Sequence, residues 1–147
     1  MASTYPTQTQ PRRLGDLLIW EPHSGYCRKS VTIKNAGGSA VDILDPVGYP
    51  LKIASGVYEL AYAGDEASVV ALLLYQNEIN LAAGATTLFN VGIIVRGPVI
   101  LNYSQGLPTV DAAGAAFTIS TIVTALAALS PPMIAYAEPT IQATQSS

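Results

Sequence analysis

Cysteine and histidine are almost absent from this chain, which has one of each, Cys27 and His23. A single cysteine excludes an intrachain disulfide, and a reducing compartment is its simplest setting. One cysteine and one histidine are too few for a zinc site within one chain, because zinc draws mainly on those side chains. Charge is scarce as well. Asp, Glu, Lys and Arg make up 12% of the residues, about half of the ~25% that a soluble domain carries. Seven cations stand against ten carboxylates, and two of the seven, Arg12 and Arg13, sit together near the start. This balance offers no basic face to phosphates, so nucleic acid is not an expected partner. No basic cluster suits an anionic membrane either. Met1 to Gln10 lacks a basic segment followed by an apolar one, so no secretory signal is expected.

Apolar residues are what the chain has. Half of its 147 residues are hydrophobic, enough for one real core in a domain of this length. The charges are too few to cover a lone globule in the usual way. Either Thr, Ser, Gln and Asn form much of the surface, or other chains cover it. Ala112 to Ala137 carries no charge at all. A membrane span is nevertheless not expected there. Pro131-Pro132 limits a helix to residues 111–130, Ala, Thr and Ser supply most of it, and no Lys or Arg flanks it.

The organisation reads as one domain with two polar ends. Residues 1–13, MASTYPTQTQPRR, have no apolar period and read as a flexible arm. Residues 14–137 form the domain, and 138–147 are a polar tail of similar character. Within the domain, short apolar runs alternate with Gly and Pro punctuation. Expected strands are Leu14–Trp20, Val31–Lys34, Val41–Leu44, Leu51–Ile53, Val57–Leu60, Val69–Tyr75, Asn90–Arg96, Val99–Leu101 and Met133–Tyr136. Leu51–Ile53 and Val57–Leu60 would pair across Ala54-Ser55-Gly56. Val69–Tyr75, the longest apolar run, predicts a strand buried on both faces. Ile119, Ile122, Val123, Leu126 and Leu129 recur at helical spacing, with Asp111 as a candidate N-cap of a helix reaching Ser130, although Phe117, Ile119, Thr121 and Val123 also fit strand alternation. The expected fold is mainly β, an α+β domain of small barrel or sandwich type, with one packed helix near the C-terminus.

Candidate chemistry is thin. His23 lies four residues before Cys27, a spacing open to a nucleophile and its base. No orienting third group or oxyanion motif accompanies them, so a turn histidine and a small strand-start residue is the simpler reading. Asp65-Glu66, the one adjacent acidic pair, reads as a solvated loop. No Gly-rich phosphate loop occurs. Trp20 reads as core before interface. No catalytic residue, cofactor site or metal site is assigned.

Gly15 to Ile33, GDLLIWEPHSGYCRKSVTI, resembles the lambda-type phage head decoration, or capsid cement, proteins. Members often begin with an apolar strand, an acidic turn, a Gly-x-x-Ser-Arg-Glu segment and an alternating Val-Thr strand. Gly25, Arg28, Val31, Thr32 and Ile33 fit. Cys27 stands where Ser is usual, and Lys29 where an acid is common. The run from Asp65 to Leu73 is similar to the family's turn into a buried strand. Val91 to Ile100 resembles its strand ending in Arg, followed by a further apolar strand. Ala-rich helix and closing strand follow to Tyr136. Asp45-Pro46-Val47-Gly48 departs from the Leu-Gly turn of many members.

The resemblance implies a homotrimer on the outer surface of an expanded phage head, made in the host cytoplasm, with the major capsid protein as partner and no catalysis. It also implies an N-terminal arm that becomes ordered on the capsid, often by adding a strand to a shell subunit. Tyr5 and Pro6 would anchor that arm, and Arg12 and Arg13 would meet acidic shell residues. On helical geometry alone, Phe117, Thr121 and Thr124, opposite the core-facing stripe, are the expected trimer contacts. The competing classes are another virion or adhesive β module, such as a tail or fibre component, and a small enzyme using Cys27.

Overall fold

The computed structural model describes residues 13–135. The chain opens with one helical turn, α1 (Leu14–Leu17), before strand β1 (Leu18–Trp20). The expected single strand over Leu14–Trp20 is thus corrected. The Arg13 amide donates to Asp16 Oδ2 at 2.8 Å, which closes the turn and leaves only three residues extended. A second turn, α2 (Ser24–Cys27), is capped by His23 and leads into β2 (Arg28–Val31) and β3 (Ile33–Lys34). β4 (Val41–Ile43), β5 (Pro50–Ala54), β6 (Val57–Leu60), β7 (Ala71–Leu73), β8 (Ile79–Leu81), β9 (Val91–Ile94) and β10 (Val99–Leu101) follow. The turn α3 (Tyr103–Gly106), the helix α4 (Ile119–Ala127) and β11 (Met133–Ala135) complete the order.

Six strands form the main sheet, in the order β2-β9-β7-β5-β6-β3. β7 lies inside it with all three residues buried, as its unbroken apolar run requires. Leu72 is in register with both Pro50 and Ile94. Pro50 sits at the first position of β5, where a missing amide costs a sheet least. The β5–β6 hairpin turns through Ser55 at φ 50° and Gly56 at φ 78°. Two left-handed residues give the turn whose twist matches that of the strands.

The ends of this sheet are joined in sequence. β2 pairs antiparallel with β9, and β3 pairs parallel with β6. Only Thr32 separates the two strands, so the run Arg28–Lys34 lies along both flanks and the sheet must roll. No sheet among the described residues closes into a barrel by continuous pairing. The mainly β, sandwich-like α+β expectation holds in that form. Two smaller sheets, β4-β8 and β1-β10-β11, flank the main one.

α4 closes the core with Ile122 and Leu126 fully buried, while Ile119, Val123 and Leu129 are half-buried against it. This is the stripe that the spacing predicts. The helix is shorter than expected and begins after Thr118, so Asp111 is not its N-cap. Asp111 instead accepts from the amides of Ala113 and Ala115 through Oδ1 and of Ala63 through Oδ2, at 2.8–2.9 Å. Local capture of backbone amides competes with helix formation, and Gly114 at φ 90° completes the turn.

Asp65-Glu66 is likewise not a solvated loop. Glu66 is buried and accepts from Thr118 N at 3.0 Å and Gly64 N at 2.8 Å, tying its turn to the start of α4. Asp65 accepts from Tyr62 N and pairs with Lys52 at 3.1 Å. The Thr118 amide first, then Glu66's own backbone amide and that of Gly64, hold the Glu66 carboxyl below its ordinary range. A depressed folded value gives stability that is complete above the ordinary glutamate pKa of about 4.3 and lost as pH falls through the folded value. Glu66→Gln should therefore flatten the acid limb of the stability curve below about pH 4.3. Thermal melts at fixed ionic strength check this, and an unchanged limb would count against it.

Candidate functional site

His23 and Cys27 are brought together as a turn. The Cys27 amide donates to the His23 carbonyl at 3.2 Å, and His23 Nδ1 accepts from Gly25 N at 3.0 Å. His23 is exposed, whereas Cys27 is fully buried. Burial pushes the Cys27 thiol up, away from the thiolate that nucleophilic chemistry uses. The imidazole nitrogen that would serve as base is occupied by a backbone amide. Among the described residues no group of three or more His, Cys, Asp or Glu is placed to hold a metal ion. No helix of the described residues is long and apolar enough to cross a membrane.

The arm candidates Tyr5, Pro6 and Arg12 lie outside the described residues. Arg13 stands at the N-cap of α1. The trimer candidates separate. Phe117 precedes α4 and is 7% exposed, its ring meeting Tyr49 edge-on at 5.9 Å and 71°. It belongs to the core and is corrected as an interface residue. The late helix start places it on a connecting segment, so the helical phase that turned it outward does not apply. Thr121 is half-buried. Thr124 is exposed, its Oγ1 donating to Ser120 O at 2.9 Å.

What the surface does present is apolar. Leu88 is fully exposed at 101%, beside a groove of about 330 Å³ that runs along Ile79–Ala82 and Ala85–Phe89. No residue lining that groove is charged. Phe89, half-exposed, leans on Tyr75 with ring centroids 5.4 Å apart.

The second apolar surface is the outer face of the sheet β1-β10-β11. Leu18 pairs with Leu101 and Trp20 with Ile100, so Ile19 is an extra residue in β1. Such a bulge re-aims the side chain that follows it. Leu18 and Trp20 would otherwise share the inward face. Trp20 instead stands 49% exposed, which corrects its expected place in the core. Ile100 pairs in turn with Ile134, which is 51% exposed. Trp20, Ile100 and Ile134 thus form one row across three strands. The inner face holds Val99, Leu101 and Met133, all buried.

Ile134 and Ile19 were not singled out by the sequence pattern, although alternation after Met133 points Ile134 outward. Leu88 and Phe89 sit in a Thr-rich connection without period and gave no signal. No family model, no curated protein and no solved structure matches this chain.

Proposed function

We propose that this chain is a decoration protein of a lambda-type phage head. Three copies sit together on the outer surface of the expanded shell and brace it against the pressure of packaged DNA. The observation that carries this reading is a sparsely charged domain with an uncovered apolar sheet face. Exposed patches of that kind mark interaction surfaces. The mainly β architecture with a helix packed near its C-terminal end is the class that the resemblance implies.

The mechanism is linkage. A protein that binds only the expanded lattice adds its binding free energy to that lattice's stability. Covering some ~1,000 Å² of apolar surface per copy yields tens of kcal/mol gross at about 25 cal/mol per Å². Ordering and association costs remove much of it. No reaction is required of any residue.

Cryo-microscopy of expanded heads from the same genome, with and without this chain, tests the reading. Added density on the outer surface in groups of three is the expected result; bare heads at saturating protein would end it. A second expectation concerns the arm. Deleting residues 1–12 keeps the Arg13 start of α1 and should leave the fold and the solution mass intact. Head binding should fall by roughly tenfold or more, about 1.4 kcal/mol per tenfold. Undiminished co-sedimentation with heads would remove the arm from the mechanism.

A further inference from the structure

Both ends of the described residues lie at one corner of the fold. Leu18 pairs with Leu101, and Leu101 pairs with Ala135, the last described residue. Two strand spacings, about 10 Å, therefore separate the start of β1 from the end of β11. Only the single turn α1 lies between Arg13 and Leu18. The first and last strands of the described residues thus form the two edges of one small sheet. All nine residues in the three strands of that sheet are apolar. Its outward face is the row Trp20, Ile100 and Ile134, with the bulge residue Ile19 beside it.

We propose that this face docks against an apolar patch of the phage shell subunit, next to the place where the arm engages it. The inference rests on the reading above, in which the arm contacts the shell. Two observations choose the shell over a second copy of this chain. First, the arm is rooted at the edge of this very face. Seating the face on the shell lets arm and face bind together with little connecting chain to order, the arrangement in which a tethered second contact is strongest. Second, the face is small. A half-exposed tryptophan and three isoleucines expose on the order of a few hundred Å². A stable pair of proteins needs about 800 Å² from each partner. The face is too small to hold two free copies together, yet it suffices beside an arm and repeated three times on a lattice.

The test uses the full chain with Trp20→Ser and, separately, Ile134→Asp. Both positions are about half exposed, and Ile134→Asp provides the surface change should the loss of Trp20 weaken β1. Melting temperature and sedimentation mass are measured first, then co-sedimentation with expanded heads assembled from the shell protein of the same genome. Each variant is expected to keep its melting temperature and mass and to bind heads at least roughly tenfold more weakly, as truncation of a central apolar anchor does. Variants that bind heads as the parent does, while the arm deletion fails to bind, would overturn the inference and leave the decoration reading standing. Variants whose mass falls without heads present would also overturn it, since the face would then belong to a neighbouring copy. A parent chain that does not bind heads would end the decoration reading and this inference with it.

Discussion

Replacing Gly48 by alanine should destabilise this protein by about 4 kcal/mol, or prevent its recovery in soluble form. Two costs add at this residue. Gly48 has φ 80°, a left-handed conformation that costs a residue with a Cβ roughly 1–2 kcal/mol. A Cβ there would also lie 1.7 Å from the carbonyl oxygen of Gly106. That neighbour is backbone and has no rotamer to change, so the chain around α3 or the 45–48 turn must shift. Overpacking of this kind costs roughly 1–3 kcal/mol. The turn has little freedom to shift, because Gly48 N donates to Leu73 O at 2.7 Å in the central strand. Gly56 supplies the control. It has φ 78° with no atom within 4 Å of the position a Cβ would take, so Gly56→Ala should cost only the conformational part, roughly 1–2 kcal/mol. Thermal melts of the two variants separate the effects. A Gly48 loss no larger than the Gly56 loss would show that the approach of Gly106 is not limiting.

Asp111→Ala should cost about 3 kcal/mol, read as a lower urea midpoint with an unchanged slope. One carboxylate accepts three backbone amides, from Ala63, Ala113 and Ala115. Hydrogen bonds to a charged group are worth roughly 1.5–3 kcal/mol each when deleted. The three do not simply add. Ala63, Ala113 and Ala115 are all exposed residues, so water replaces part of each lost acceptor. The bond to Ala63 is the long-range one, and it fastens the 111–115 turn to the segment that follows β6. Ala112 N also donates to the buried Tyr49 hydroxyl at 3.0 Å, and that hydroxyl donates to Ala61 O at 2.7 Å. A loosened turn disturbs this second fastening too. A loss below about 1 kcal/mol would mean that water satisfies all three amides.

These residues mark where the sequence was legible. The β5–β6 hairpin, the buried strand at β7 and the stripe on α4 follow from local period and turn chemistry, and all three were expected. Trp20 faces outward against its expected place in the core, and alternation would not have shown this, because it assigns faces only while the count of residues is intact. One extra residue, Ile19, reverses the parity, and nothing in LGDLLIW announces it. Phe117 and Glu66 share a different cause, since each meets a partner more than 50 positions away, Tyr49 and Thr118 respectively. Asp111 combines a local cause, the amides of Ala113 and Ala115, with the distant amide of Ala63. β8 escaped notice because three residues, Ile79–Leu81, are too few to establish a period. The surface proposed to meet the shell was legible only in part, since Ile134 follows from alternation and its alignment with Trp20 depends on the bulge.

The run Arg28–Lys34 has a mechanical consequence. Its first half is laced to β9 and its second half to β6, partners about 60 and 25 residues distant in sequence. Tension entering from the N-terminal side reaches this run soon after β1. Freeing the whole run requires both ladders to part, the antiparallel one to β9 and the parallel one to β6. In the role proposed above, a run fastened along both flanks would let the domain carry load from a shell under pressure.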